Sequence, residues 1–521
     1  MASLALLSSY IAPAIVVYIY FVLGYRVLLH PLRQYPGPLA AKLSGAYNGI
    51  YALKGSLHLE TYRQHTLYGS VVRQAPTRLV FNTVKALQDI YQNDRIAKSF
   101  VYGSITQGGQ SNIFTTINKS EHRPKRKLIS QLLSDQSVRA FEPVINERVN
   151  TFLHQLAAPG SKPSPNMTLK LRHLGLEVAG LLGFGYNLQL QTKDTHRFLT
   201  KAITLGNYRA NACMQYPPLA DLKIDKVLNL LPDKLRESLI STVTKMITAR
   251  LAEPVDARHD LLSVFHSATD VDMQNIGQSE LWAEAFFFFL AGGETIASAL
   301  SAAFFYLSRN PECYKKLAKE IRSVFSSGAE ISGGARLSRC RYLRAWIDES
   351  LRMSPPVPST LWREAVVSPD LQDSQQPLII DGHVVPSGTQ VGVNIYCLHH
   401  NEEYFPEPFK FSPERWLVDD TAIRQLATHN ALTAFSLGPR SCAGKAMAYL
   451  EMSIVLAKTL WYFDFETAPS EQAGSNAKQS GVVREAGEFP VYDFFAVSHD
   501  GPRLVFRPRS EYFKELSSEL P

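Results

Sequence analysis

Cysteine is scarce in this chain. Among its 521 residues there are five cysteines, an odd number, and no two of them form a Cys-x-x-Cys pair. This pattern argues against a disulfide framework and against a structural zinc site, and it fits a reducing compartment. The five are Cys213, Cys313, Cys340, Cys397 and Cys442.

Linkers and internal repeats are missing as well. Beyond residue 40 there is no long Ser/Gly-rich or Pro-rich stretch and no repeated segment, and 45% of the residues are hydrophobic. One large folded unit is therefore predicted. The net charge of +7 is small for this length. It favours an acidic partner or a membrane surface, and not nucleic acid.

Charged side chains are absent from residues 4–25, LALLSSYIAPAIVVYIYFVLGY. As a helix, this segment is long enough to cross the roughly 30 Å core of a bilayer. The first three residues lack the basic character of a cleaved signal, while Arg26 and Arg33 follow the apolar segment, which predicts that the remainder is cytosolic. We therefore expect a membrane anchor over residues 1–25, with a cleaved signal peptide as the alternative, and a stiff, extended, Pro-rich connector over 26–38.

The body of the chain, residues 39–521, has mostly helical periodicity. Strand patterns are confined to short runs, one of which contains Asp381-Gly382, a hairpin turn signal. The fold class predicted is mainly α with small peripheral β-sheets. The strand runs are 70–81, 377–393, 461–468 and 501–509.

The longest predicted helix begins near Ser279 and is stopped by Pro311. Its apolar composition would suit a membrane span, but Glu284 and Glu294 would be costly at mid-bilayer. We therefore expect a helix that crosses the protein core.

Two adjacent glycines, Gly292 and Gly293, lie within this helix, and each costs about 1 kcal/mol relative to alanine. Two explanations are open. The glycines could open the helix so that a small ligand approaches the backbone beside Glu294 and Thr295, or they could form a notch for helix packing.

The segment FSLGPRSCAG, residues 435–444, frames a single cysteine with glycines. Gly438 permits a sharp turn, and a helical pattern follows Cys442, so that helix-start N–H groups favour the thiolate. A lone thiolate is a soft ligand for a metal that brings its other ligands with it, as iron does in a porphyrin. Arg440 could pair with a propionate and Phe435 could pack on the sulfur. Taken alone, the segment also fits a buried cysteine before an ordinary helix.

The pattern Phe435, Gly438, Arg440, Cys442 and Gly444 resembles the haem-binding loop of the cytochrome P-450 superfamily. Three further segments match the family in its order along the chain. These are AGGET at 291–295, with Glu where many members have Asp, ESLR at 349–352, and PERW at 413–416. The resemblance covers essentially the whole chain, and the length, anchor and connector resemble microsomal members from filamentous fungi.

The resemblance implies a cytochrome P-450 fold over residues 39–521, preceded by a transmembrane helix, with haem b (iron protoporphyrin IX) on the Cys442 thiolate. Glu349, Arg352 and Arg415 would form a structural ion-pair cluster. Thr295 and Glu294 would be the catalytic pair that delivers protons during O₂ activation.

The segment EHRPKRKLIS, residues 121–130, places His122 and Arg126 four positions apart on one helical face. Similarity to the family's propionate-binding helix implies that both contact the haem, and Arg363 matches a third such contact. The other basic residues of the segment are expected to form a solvated face that docks an acidic flavoprotein, the NADPH-cytochrome reductase. They are Arg123, Lys125 and Lys127.

The function implied is a monooxygenase of the endoplasmic reticulum membrane, single-pass with a cytosolic catalytic domain, that inserts one oxygen atom into a lipophilic molecule of fungal secondary metabolism. The alternatives are an oxygen-independent rearranging or dehydrating enzyme and a non-catalytic haem sensor. Largely apolar segments are expected to line the substrate pocket. They are 101–114, 199–216, 286–291, 357–361 and 493–497.

Overall fold

Helices make up most of the chain, as the periodicity predicts. The computed structural model describes residues 13–14, 17–106, 109–157, 164–254, 260–266, 278–365, 377–417, 428–472, 485 and 487–518. The longer α-helices, each of eight residues or more, are α1 (Ala46–Leu53), α2 (Leu57–Tyr68), α3 (Val84–Tyr91), α4 (Lys119–Leu132), α5 (Asp135–Leu156), α6 (Met167–Phe184), α7 (Phe198–Gln215), α8 (Asp233–Leu251), α9 (Gln278–Arg309), α10 (Pro311–Val324), α11 (Arg341–Met353), α12 (Lys445–Tyr462) and α13 (Ser510–Ser518).

Short helical turns complete the helical part. Four of them, Pro31–Gln34, Phe100–Ile105, Pro413–Trp416 and Gly438–Arg440, are 3-10 turns, and Tyr25–Leu29 is a π-helical turn. The short α-helices are Leu39–Leu43, Pro218–Asp221, Ile224–Val227, Leu261–His266, Ala335–Ser338, Ile395–His399 and Pro469–Gln472.

The β-structure is small and peripheral, as predicted, and it includes strands within all four predicted runs. In the largest sheet the order is β1-β2-β7-β4-β3, with only β2 and β7 parallel. The other sheets pair β5 with β6, β8 with β11 and β9 with β10. The strands are β1 (Val71–Ala75), β2 (Arg78–Phe81), β3 (Ile96–Lys98), β4 (Arg363–Ala365), β5 (Leu378–Ile380), β6 (His383–Val385), β7 (Gln390–Val393), β8 (Phe463–Thr467), β9 (Val491–Tyr492), β10 (Ser498–His499) and β11 (Leu504–Pro508).

Helix α9 crosses the core, and 67% of its most apolar window is buried, which confirms the prediction against a second span. It packs along α6 at two glycines. A Cβ on Gly293 would lie 2.4 Å from a methyl carbon of Leu176, and one on Gly175 would lie 2.6 Å from the Gly293 carbonyl oxygen. Gly293 is therefore a packing notch. Of the two explanations, the helix does not open at the glycines, because α9 is helical from 278 to 309, while Gly292 and Thr295 both line a cavity.

The connector is docked on the domain and is not extended throughout, contrary to the prediction. Pro31 begins a 3-10 turn, where its missing N–H is harmless, and the His30 ring accepts a hydrogen bond from the Leu32 N–H at 3.0 Å. Leu32 and Tyr35 are buried, and the Tyr35 hydroxyl donates to the Val384 carbonyl at 3.0 Å.

The N-terminal segment contains a short apolar helix, Val17–Leu29. Residues 1–12 and 15–16 of the predicted anchor lie outside the described residues. The anchor over 1–25 therefore stays a prediction.

Candidate haem site

Cys442 lies in a loop whose shape requires glycine at one position. Gly438 has φ +70°, and a Cβ there would lie 2.1 Å from the Tyr91 carbonyl oxygen. The Cys442 N–H donates to the Phe435 carbonyl at 2.8 Å, and α12 begins three residues after the cysteine. The predicted turn and helix start are both confirmed.

The Cys442 thiol is exposed to a cavity of about 250 Å³, which we call the thiol cavity. Burial within the protein raises the pKa of this thiol, while the Gly444 N–H, Arg126 and Lys445 act in the opposite direction. The helix-start N–H of Gly444 acts in the predicted direction, toward the thiolate, and burial opposes it. Coordination to a metal ion deprotonates a cysteine outright.

The thiol cavity joins residues from α4, α6, α9, α12 and the cysteine loop. Of the predicted site residues, Gly438, Glu294 and Arg363 do not line it. Those that do are Phe435, Arg440, Cys442, His122, Arg126 and Thr295.

Four cationic or basic side chains line the thiol cavity. Lys98 and His122 are almost fully buried, and Arg126 and Arg440 are half-buried. Burial together with repulsion by neighbouring cations lowers the pKa of His122 to about 3, that of Arg440 to about 10, and that of Lys98 well below its usual value. Within the described ranges, none of the four forms an ion pair with a carboxylate. We call these residues the cation cluster.

The cation cluster fits the two propionates of a haem. Buried cations without carboxylate partners need an anion, because uncompensated charge is costly away from water. Arg440 is oriented by its bonds to the Thr116 and Ile117 carbonyls, at 2.8 and 3.0 Å, and Arg126 donates to the Ser441 carbonyl. A cysteine ligand and the cation cluster in one cavity are what a haem-thiolate site requires.

Lys98 was not found by the sequence analysis. Its ammonium group donates to the Phe114 carbonyl and lies 4.7 Å from the centre of the Tyr102 ring. It ends strand β3, whose pairing with β4 brings Lys98 opposite Arg363. Since that pairing joins distant segments, no local motif marks this lysine.

Arg363 itself is buried beside the thiol cavity. Its guanidinium donates to the Trp362 carbonyl at 3.0 Å and lies 4.9 Å from the centre of the Tyr91 ring. Its charge contributes to the lowered pKa of Lys98 and Arg440. Its predicted contact with the haem stays a prediction.

Lys125 corrects the predicted solvated face of α4. Its side chain is buried, with Nζ 3.0 Å from a carboxylate oxygen of Glu284, and it donates to the Ser111 carbonyl at 2.9 Å. This lysine can be buried because a buried glutamate of α9 faces it. Arg123 and Lys127 are exposed, as predicted.

Thr295 and Glu294 are adjacent on α9 but face different surroundings. Thr295 lines the thiol cavity, and its hydroxyl donates to the Ala291 carbonyl at 2.7 Å. Glu294 is buried against α6, where its carboxylate lies 3.1 Å from Nε of Arg172. Burial raises the pKa of Glu294, and Arg172 partly offsets this effect. Arg172 is a second residue that the sequence analysis missed.

The predicted ion-pair cluster is present and buried. Arg352 donates to both carboxylate oxygens of Glu349, at 2.8 and 2.9 Å, and Arg415 donates at 3.1 Å. Burial would raise the pKa of Glu349, but these two arginines and the Ser412 N–H lower it below its ordinary value. The cluster joins α11 to the 3-10 turn that contains Arg415.

A second cavity, of about 140 Å³, adjoins the first and shares Phe114, Phe287, Ala291 and Thr295 with it. We call it the aromatic cavity. All five predicted pocket segments contribute to it, and none of the described residues of its lining has an ionisable side chain. The lining residues are Ile105, Gln110, Asn112, Phe114, Thr115, Asn207, Trp282, Ala283, Phe286, Phe287, Leu290, Ala291, Thr295, Val357, Phe495 and Ala496.

Comparison with known proteins agrees with this site. The profile of the Cytochrome P450 family matches residues 50–491. The cytochrome P450 monooxygenase poxM of Penicillium oxalicum is 34% identical over 500 residues, which cover 93% of this chain and 94% of the relative. AKT7 of Alternaria alternata is 31% identical over 513 residues, 95% of this chain and 97% of the relative, and atnE of Emericella nidulans is 32% identical over 504 residues, 93% of each. Both are also cytochrome P450 monooxygenases by name.

The fold and site define a haem-thiolate protein. More specifically, the chain belongs to the cytochrome P450 family. It is an oxidoreductase of the monooxygenase type, with haem bound through a cysteine thiolate and electrons supplied by a redox partner.

Proposed function

We propose that this chain inserts one oxygen atom of O₂ into an uncharged, lipophilic small molecule of fungal secondary metabolism, by hydroxylation or by related oxidations. The observation that carries the proposal is the joining of two cavities at Thr295. One contains Cys442 and the cation cluster, and the other is aromatic and free of ionisable side chains.

Bound haem would supply the activation of O₂, and the residues of this chain would bind the haem, exclude water and supply protons. Cys442 would supply the thiolate ligand, and Arg440, His122, Arg126 and Lys98 would hold the propionates. The apolar lining excludes bulk water from the reacting carbon.

Proton supply is assigned to α9. The Thr295 hydroxyl holds a proton where the two cavities meet, since it can exchange its bond to the Ala291 carbonyl for one to a ligand. Glu294 would pass protons toward Thr295 without facing the cavity itself, because its carboxylate is paired with Arg172.

The substrate is inferred from the aromatic cavity. Four phenylalanine rings and the Trp282 ring contribute to its lining, and Gln110, Asn112 and Asn207 are its amide side chains. An uncharged molecule with a planar or polycyclic apolar body suits this lining, because a charge buried there would find no counter-ion.

We infer the partner and the location from the exposed basic residues and from the apolar N-terminal segment. We infer that residues 1–25 anchor the chain in the endoplasmic reticulum membrane, that 26–38 form the connector, and that 39–521 form a cytosolic catalytic domain. The exposed Arg123 and Lys127 would help to dock an acidic NADPH-cytochrome reductase.

The test combines a spectrum with turnover. The reduced, CO-bound protein should show the Soret band of a thiolate-ligated haem, and Cys442→Ala should lose it. With a reductase present, an extract of apolar fungal metabolites should accelerate NADPH oxidation. A normal spectrum without NADPH use would favour a haem sensor, product formation without NADPH use would favour an oxygen-independent rearrangement, and a wild type without the thiolate band would overturn the proposal.

A further inference from the structure

A fully buried carboxyl group, Asp493, lies in the loop between β9 and β10. Its Oδ1 accepts a hydrogen bond from the Ser359 hydroxyl at 2.5 Å and another from the Phe495 N–H at 3.3 Å. The other oxygen lies 3.9 Å from Nδ1 of the buried His58. The carboxyl group therefore connects its own loop to the segment after α11 and to helix α2.

The backbone of Asp493 makes further connections. Its N–H donates to the Gly55 carbonyl at 2.8 Å, and its carbonyl accepts from the side-chain amide of Asn211 on α7 at 2.8 Å. Asn211 is itself fully buried. One residue thus links four separate parts of the chain in a region closed to solvent.

The partners of Asp493 lie close in sequence to residues of the aromatic cavity. Val357 precedes Ser359 by two positions, and Asn207 lies one helical turn before Asn211. Asp493 does not line the cavity, but a shift of its bonds would move the backbone of two segments that do.

Phe495 lies in a third segment of the cavity lining, 493–497, whose backbone is held in one conformation. Its φ of +75° is a left-handed conformation, which costs a residue other than glycine about 1 kcal/mol or more. The bond from its N–H to Asp493 closes the turn. Its ring lies 5.1 Å from the ring of Phe114, which in turn stacks on Phe287 at 5.3 Å, so this turn sets the position of three rings of the aromatic cavity.

We propose that Asp493 is a positioning residue for substrate selectivity, whose carboxyl group holds two of the five segments that line the aromatic cavity, 357–361 through Ser359 and 493–497 through its own turn. The inference rests on the proposed function, because it assigns the aromatic cavity to the substrate. Asp493 acts through other residues and is not itself a catalytic residue.

The test uses ligands that reach the cavity to different extents. In the holoenzyme, imidazole and 4-phenylimidazole both shift the Soret band when they bind iron, but only the phenyl ring needs the aromatic cavity. Asp493→Ala and Ser359→Ala should lower the affinity for 4-phenylimidazole roughly 10-fold, as expected for lost buried hydrogen bonds. The affinity for imidazole should fall by less than about 2-fold. Asp493→Asn, which keeps an acceptor oxygen, should recover most of the affinity.

The matched control is Ser350→Ala, which removes an equally buried hydroxyl whose bond goes to the Trp346 carbonyl on α11. It should leave both affinities unchanged. If the Asp493 variants fail to fold, the affinities of Ser359→Ala for the two ligands still test the inference. A normal CO spectrum with unchanged or equally reduced affinities for both ligands would overturn this inference alone, whereas a wild type without the thiolate band would overturn the proposed function.

Discussion

The hydroxyl of Thr295 is the smallest unit on which the proposed chemistry depends. It lies where the two cavities meet, and its hydrogen bond to the Ala291 carbonyl remains within its own helix. A hydroxyl bonded in this way can turn toward a ligand without any rearrangement of the backbone. The role assigned to it is therefore testable by removing a single oxygen atom.

Thr295→Ala should lower product formed per NADPH consumed by about 100-fold or more, because a positioned proton donor contributes roughly 10²–10⁴-fold. The CO spectrum should not change, since Cys442 is untouched. Thr295→Ser should restore coupling. An alanine variant that couples as well as wild type would remove Thr295 from the proton path.

Glu451 gives a pH-dependent prediction at the same scale. It is buried in the lining of the thiol cavity, its Oε1 has no hydrogen-bond partner among the described residues, and burial raises its pKa to about 8. Because the folded-state pKa lies above the unfolded value, the folded chain binds more protons between pH 4.5 and 8. Stability contributed by this group is therefore lost as pH rises through that range.

Glu451→Gln should remove this loss. The free energy of unfolding of the variant minus that of wild type should increase by about 1.4 kcal/mol per pH unit, or somewhat less, from pH 6 to pH 8. Urea titrations of the holoenzyme at the two pH values measure the difference. The exposed Glu402→Gln is the control and should show no pH-dependent gain. Parallel pH profiles for wild type and Glu451→Gln would contradict the prediction.

At the scale of elements, the cluster of Glu349, Arg352 and Arg415 holds α11 in place. Arg352→Ala should destabilise the protein by about 3–5 kcal/mol, since it leaves a buried carboxylate short of its main partner. Thermal unfolding and haem retention measure this loss. Lys315→Ala, which breaks an exposed pair on α10, should have little effect, because water screens that pair. Equal effects of the two changes would contradict a structural role for the cluster.

The glycine pair in α9 offers a second test at this scale. Gly293→Ala should destabilise by about 1–3 kcal/mol because its Cβ would collide with Leu176 of α6. Gly292→Ala, whose Cβ meets only Ala179 at 3.4 Å, should be neutral or stabilise by up to about 1 kcal/mol. Chemical denaturation of the two variants measures their free energies of unfolding. Identical values would contradict a packing notch at Gly293.

The elements also show what a sequence can and cannot predict. The ends of α9, the strand runs and the turn at Gly438 depend on neighbouring residues, so local patterns predict them. Lys98 and Arg172 reach the site or its edge through pairing and packing of distant segments, and the burial of Lys125 depends on Glu284 across a helix interface. Such placements have no local signal.

For the whole molecule, the remaining question is its attachment. The full chain should stay with the membrane fraction after an alkaline carbonate wash, because a spanning helix is held by the bilayer core. A variant that lacks residues 1–25 should be partly released, with an unchanged CO spectrum. Release of the full chain by carbonate would contradict the anchor.

The cation cluster has a consequence for how the protein is made in the cell. Arg126 and Arg440 have no carboxylate partner among the described residues, and burial and these charges push Lys98 and His122 toward their neutral forms, so the newly synthesised chain carries electrostatic frustration where α4 meets the cysteine loop. Ligand binding to the folded state removes that penalty by mass action, whereas proteases act on chains that open. Haem supply should then act as a quality-control checkpoint, and in haem-starved cells the amount of protein should fall even when its messenger RNA does not.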